Sequence, residues 1–129
     1  MHHINSINKI WGGRFKVQFV KSIGKVLESS TKYMKVYLTM YGMPIQDKTY
    51  MLRTYRNILL IVTMNSDSGK INRISDFNIS VSSQPHSSTA AIAIFLHEFY
   101  NGRELAMHFE NAKKKVVPSE RGNTIKETG

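Results

Sequence analysis

A chain of 129 residues, 41% hydrophobic and 21% charged, holds material for one core and is long enough to bury most of what it would expose unfolded. It has no cysteine, which excludes disulfides, thiolate metal sites and thiol catalysis. Its longest apolar runs, Ile58 to Val62 and Ala90 to Leu96, fall far short of the roughly 20 residues that span a bilayer. A formal charge of +9 and a pI near 9.9 direct attention to a polyanion, either nucleic acid or an anionic membrane surface.

The first segment, residues 1–13, reads as an N-terminal arm. Ile4, Ile7 and Ile10 recur at helical spacing before Gly12-Gly13, so a short amphipathic helix competes with a frayed end that tucks Trp11 into the core. The segment lacks the basic and apolar regions of a secretory signal, so the chain is expected to be intracellular. Arg14 to Val20 alternates, with Phe15, Val17 and Phe19 on one side, as a half-buried strand does. Val20 to Thr31 spaces Ile23, Val26 and Leu27 as a short helix with Gly24 inside it.

Tyr33 to Tyr41 alternates again: Met34, Val36, Leu38 and Met40 face one way, and Tyr33, Lys35, Tyr37, Thr39 and Tyr41 the other. Gly42-Met43-Pro44 ends that strand and Gln46 to Lys48 completes a loop. Ile58 to Met64 is nearly all apolar and rich in β-branched residues, which predicts a central strand covered on both faces. Asn65 to Lys70 is a dense turn signal; its Gly69-Lys70 pair is not a phosphate loop, because the first glycine and the hydroxyl residue after the lysine are missing. Asp76 to Ser82 predicts another strand, with Phe77, Ile79 and Val81 inward, and residues 83–88 a loop.

Two apolar runs, Thr89 to Tyr100 and Arg103 to Lys115, flank Asn101-Gly102. This dipeptide is the strongest local signal for a β-hairpin turn, and the hairpin is the preferred expectation. The same letters also fit two helices, since Ile92, Phe95, Leu96 and Phe99 recur at i, i+3, i+4 and i+7. Residues 118–129 read as a flexible polar tail. The expected organisation is therefore an arm (1–13), a single β-rich domain (14–117) and the tail (118–129). The expected fold class is α+β, mostly antiparallel β closed as a small barrel or sandwich, with one or two short helices.

Five of the six tyrosines fall between residues 33 and 55, interleaved with lysine and arginine. A strand face of aromatics and cations suits single-stranded nucleic acid, with rings as stacking platforms and cations on phosphates. The candidate nucleic-acid-binding residues are Lys16, Lys32, Tyr33, Lys35, Tyr37, Tyr41, Arg53, Tyr55 and Arg56. Lys113, Lys114 and Lys115 are a candidate contact for an anionic surface. In the hairpin register His97 and His108 lie diagonally on one face, near Glu104 or Glu110, as a two-histidine metal site would need. Spacing does not match a zinc-protease helix, no triad or paired-carboxylate site stands out, and no catalytic residue, resident metal or cofactor is assigned. The leading expectation is a non-enzymatic, basic RNA- or DNA-binding protein that holds single strands with little sequence preference. The alternative is a viral matrix-type structural protein that self-assembles as a homo-oligomer on an anionic membrane or nucleocapsid.

Overall fold

In the computed structural model residues 2–64 and 69–128 are described. In chain order the elements are helices α1 (His2–Trp11) and α2 (Ile23–Ser29), strand β1 (Met34–Pro44), helix α3 (Ile45–Leu52), strand β2 (Ile58–Ile61), helix α4 (Gly69–Ile74), strand β3 (Phe77–Ser80), helix α5 (Ser88–Tyr100), a 3₁₀ turn (Arg103–Ala106), and strands β4 (Lys114–Val117) and β5 (Thr124–Glu127). They fall into two compact units: residues 22–106, and the terminal segments 1–21 with 107–129.

The larger unit is organised on β1. Val36, Tyr37 and Leu38 are buried in succession, as happens only in a strand covered on both faces. β1 pairs in parallel with β2 on one side, from Met34 opposite Ile58 to Tyr37 opposite Ile61, and with β3 on the other. The sheet order is thus β2-β1-β3. Parallel neighbours need a crossover rather than a tight turn, and α3 and α4 supply it. Val36, Leu38 and Ile79 meet Ile45 and Leu52 of α3 and Ala91 and Phe95 of α5 in the main core. On the opposite face Asn78 Nδ2 donates to the Asn72 carbonyl of α4 at 3.2 Å, so helices lie on both sides of the sheet.

This corrects the expected fold class. The molecule is α+β with a three-stranded parallel sheet and a separate antiparallel pair, and the mostly antiparallel barrel or sandwich does not form. The physical reason lies between the strands: Gln46 to Lys48, expected to complete a loop, sit inside helix α3 (Ile45–Leu52), and that turns the next strand parallel. The apolar run at Ile58 is an edge strand; β1 holds the centre. Of the turn signal at Asn65 to Lys70, residues 65–68 lie outside the described residues, and Gly69 already opens α4.

The expected hairpin at residues 89–115 is also overturned. Its first run is α5 and its second a 3₁₀ turn followed by irregular chain. Three alanines within Ala90 to Ala93 favour a helix, and the Ser87 hydroxyl caps its start by accepting from Ala90 N at 3.1 Å. Asn101 and Gly102 do take positive φ, 54° and 77°, as a hairpin turn would require. They use it to close the helix instead: Gly102 N donates to His97 O at 3.0 Å and Asn101 N to Glu98 O at 3.2 Å, the paired bonds of a Schellman motif.

The smaller unit joins the segments that the sequence presents as an arm and a tail. Lys113 N donates to Ile10 O of α1 at 2.8 Å, and Gly13 N to Asn111 Oδ1 at 3.3 Å. Gly12 must be glycine here: its φ is +86°, and an added Cβ would lie 2.6 Å from that of Phe109. β4 and β5 form an antiparallel ribbon. The strand expected over Arg14 to Val20 is absent, because no described strand pairs with it; Phe15 and Phe19 remain 67% and 85% exposed. Among the described residues no helix is long and apolar enough to cross a membrane.

Candidate active site

In open parallel sheets ligands bind beyond the carboxyl ends of the strands, at the point where successive connections leave in opposite directions. Here that point is the end of β1, flanked by β2 and β3. Three segments meet at this edge: residues 39–44, 62–64 and 81–87. The pairing of β1 with β3 slips on reaching it. Leu38 and Met43 both fall opposite Ile79, so residues 39–42 leave the ladder, a bulge of the kind that re-aims side chains next to sites. Tyr41 is thereby left 75% exposed, with Met43 and Met64 also exposed. Gly42 makes the crossing possible, since an added Cβ would lie 2.5 Å from the carbonyl carbon of Asn78.

Hydroxyls tie β1 and the start of α5 to Thr63, just past β2, and shape the third segment. Tyr37 Oη and Thr63 Oγ1 are 3.2 Å apart, and Ser88 Oγ donates to Thr63 O at 2.8 Å, which ties the start of α5 to the end of β2. Ser80 Oγ donates to Ser82 O at 2.7 Å and Gln84 N to Ser82 Oγ at 3.1 Å, shaping the loop that leads to α5. The segments carry no charged side chain, and His86 is their only imidazole. Behind the edge, Asn78 Oδ1 is buried without a hydrogen-bond partner among the described residues. The edge therefore offers exposed aromatic and thioether surface and polar backbone, suited to an uncharged aromatic ligand part rather than to bare phosphate.

Comparison with known proteins gives this edge its context. Residues 11–126 match the family described as tRNA ribose 2'-O-methyltransferase, aTrm56. The tRNA (cytidine(56)-2'-O)-methyltransferase of Methanopyrus kandleri is 37% identical over 124 residues, which covers 95% of this chain and 70% of that protein. Its namesake in Sulfurisphaera tokodaii is 37% identical over 133 residues, with 98% of this chain and 79% of the relative covered. That of Nitrosopumilus maritimus is 34% identical over 124 residues, with 95% and 70% covered. The chain belongs to the aTrm56 family.

Membership in an enzyme family overturns two expectations: the non-enzymatic binder and the viral matrix-type structural protein. Charge and tyrosine content pointed toward nucleic acid, and they carry no information on catalysis. Among the described residues no group of three or more potential ligands could hold a metal ion. His97 is engaged otherwise, its Nδ1 lying 3.0 Å from Glu104 Oε2.

The residues singled out from the sequence scatter over this aTrm56 chain. Tyr37 is only 2% exposed, beneath the edge rather than on a surface. Lys35 is half-buried at the other end of β1, its backbone N donating to the Asp76 carboxylate at 2.8 Å. Tyr33 precedes the strand, and Tyr41 alone of the set lies on the carboxyl edge. Tyr55 packs on Phe77 with ring centroids 5.8 Å apart, toward the core. Arg53 is committed to the end of α5, with Nε on Phe99 O at 2.7 Å and Nη2 on Glu98 O at 2.6 Å. Lys32 and Arg56 are exposed in the larger unit; Lys16, Lys113, Lys114 and Lys115 belong to the smaller one. Sequence reading passed over Gly42, Thr63, Asn78 and His86. A β-α-β reading carried through residues 34–80 would have pointed to the strand ends near Gly42, Thr63 and His86, whereas Asn78, inside β3, carries no such signal.

Proposed function

We propose that this chain transfers a methyl group to a ribose 2'-hydroxyl of tRNA, at cytidine 56 as in the names of its relatives. The match over residues 11–126 carries this reading, and the uncharged edge at the end of β1 supplies a place for it. Nucleic acid is then the partner, as the charge suggested, but in the form of a structured tRNA rather than any single strand, and no membrane is needed. Acting on tRNA, the chain works inside the cell.

Methylation of an alkoxide-type oxygen calls for an electrophilic methyl donor, and S-adenosylmethionine, when bound, supplies one as a sulfonium. The residues present fit such a group in kind. Tyr41, Met43 and Met64 offer apolar surface to an adenosine ring, and the backbone of Ser82 to Gln84 offers polar groups at the same edge. The orphaned Asn78 Oδ1 is a buried acceptor next to the strand crossing. A 2'-hydroxyl that accepts a methyl group gives up its proton, and imidazole is the commonest side-chain acceptor; His86, exposed on this edge, is positioned in sequence to take it.

The test is methyl transfer itself. An unmodified tRNA transcript is incubated with the chain and labelled donor, then digested and read by nucleoside mass spectrometry. The expected product is 2'-O-methylcytidine at position 56, strongly reduced by His86→Ala. Absence of any ribose methylation, in a preparation shown to be folded, sinks the reading.

A further inference from the structure

The β4-β5 ribbon has two unlike faces. In an antiparallel pair, directly opposite residues share a face with Cβ atoms roughly 5 Å apart. Lys114 lies opposite Glu127, and Val116 opposite Ile125, so one face joins opposite charges and an apolar pair. The other face sets Lys115 against Lys126 and Val117 against Thr124. Like charges directly opposed disfavour a ribbon, and both lysines are exposed without a carboxylate partner among the described residues. The unit that carries them holds nine basic residues against three acidic ones, whereas the 85-residue unit from 22 to 106 holds nine against six.

We propose that the Lys115/Lys126 face of the ribbon is a docking surface for the phosphate backbone of tRNA. The choice of tRNA as the polyanion rests on the proposed function. The two ammonium groups form a bipartite cation site that bridging phosphates neutralise, which relieves the repulsion built into the pairing. Lys114 stands outside this site because it lies on the opposite face of the ribbon, across from Glu127. RNA helices are engaged largely through phosphates and ribose hydroxyls, and a narrow ribbon with a cationic face matches that need without reading sequence.

Fluorescence anisotropy of labelled, unmodified tRNA across a salt series tests the assignment, with the parent chain, K115A/K126A and K114A compared. Each lost lysine-phosphate contact lowers the slope of log affinity against log salt by about 1. The expected result is a loss of about 2 in the slope for K115A/K126A, at two phosphate contacts, and little change for K114A. The double variant removes a repulsion, so its melting temperature is expected to hold or rise; K115Q/K126Q repeats the test with longer polar side chains. Equal slopes for parent and K115A/K126A, or an equal loss in K114A, overturn the proposal. So does unchanged tRNA binding together with lost binding to phosphatidylserine vesicles. Methyl transfer is measured on the same preparations. Ribbon-dependent binding without methylation leaves the docking surface standing and removes the proposed function, and methylation with unaltered slopes does the reverse.

Discussion

Two residues show how little local pattern says about exposure. Tyr37 alternates with Lys35 and Thr39, and that mixed face looks solvent-bound; yet β1 is central, and its second face lies under helix rather than water. Period two tells which residues share a face, not what covers it. The half-buried lysine near the start of the strand and the half-buried threonine at its middle keep some contact with water, while the tyrosine between them keeps almost none. Gly42 carries the opposite lesson, since nothing marks it in the sequence beyond the end of a strand. Its place against Asn78 gives a prediction: Gly42→Ala forces a methyl group within 2.5 Å of main chain that cannot swing aside. Overpacking of this kind costs about 1–3 kcal/mol. Urea denaturation is expected to show at least that loss, and a variant as stable as the parent would mean the crossing is looser than its geometry.

At the scale of elements, existence was more legible than type. The short helix near Ile23 to Ser29 and the strands near residues 34 and 77 were readable because each carries its own period. The stretch from Ser87 to Gly102 was misread because Asn-Gly serves two structures with the same dihedral angles, and only the alanines and the Ser87 cap tip the balance toward helix. Arg53 shows what such a helix end then requires. Its guanidinium donates to two carbonyls in the last turn of α5, where a cation also meets the negative end of the helix dipole. Because the side chain is exposed, solvent screens part of this; Arg53→Ala is expected to lose about 1–2 kcal/mol, and Arg53→Lys to recover little of it, since an ammonium lacks the planar fork. Chemical denaturation measures the loss and tRNA binding serves as the control. If stability is kept while binding falls, Arg53 is a phosphate contact and not a clamp.

Over the whole molecule, the sequence disclosed charge but not its partition. The terminal segments carry a surplus of six positive charges in 44 residues, against three in the 85 residues between them, and no linear reading brings residues 10 and 113 together. Self-repulsion should thus burden the smaller unit more. Raising ionic strength from about 0.01 M to 0.15 M shortens the screening length from roughly 30 Å to 8 Å. Hydrogen exchange is expected to slow at the ribbon amides of Val116 and Ile125 and to stay unchanged at Val36 and Leu38; equal slowing at both places would argue against a localised charge burden.

The bond from Gly13 to Asn111 spans 98 residues, and that distance is also a delay. A ribosome adding about 5–20 residues per second needs roughly 5–20 s to bring the second partner of that bond into existence. The sheet and its helices, made from one continuous stretch, have all their parts before then. Helix α1 is made before the residues it docks on and finds its place late, so for those seconds its isoleucines have nothing to fold against.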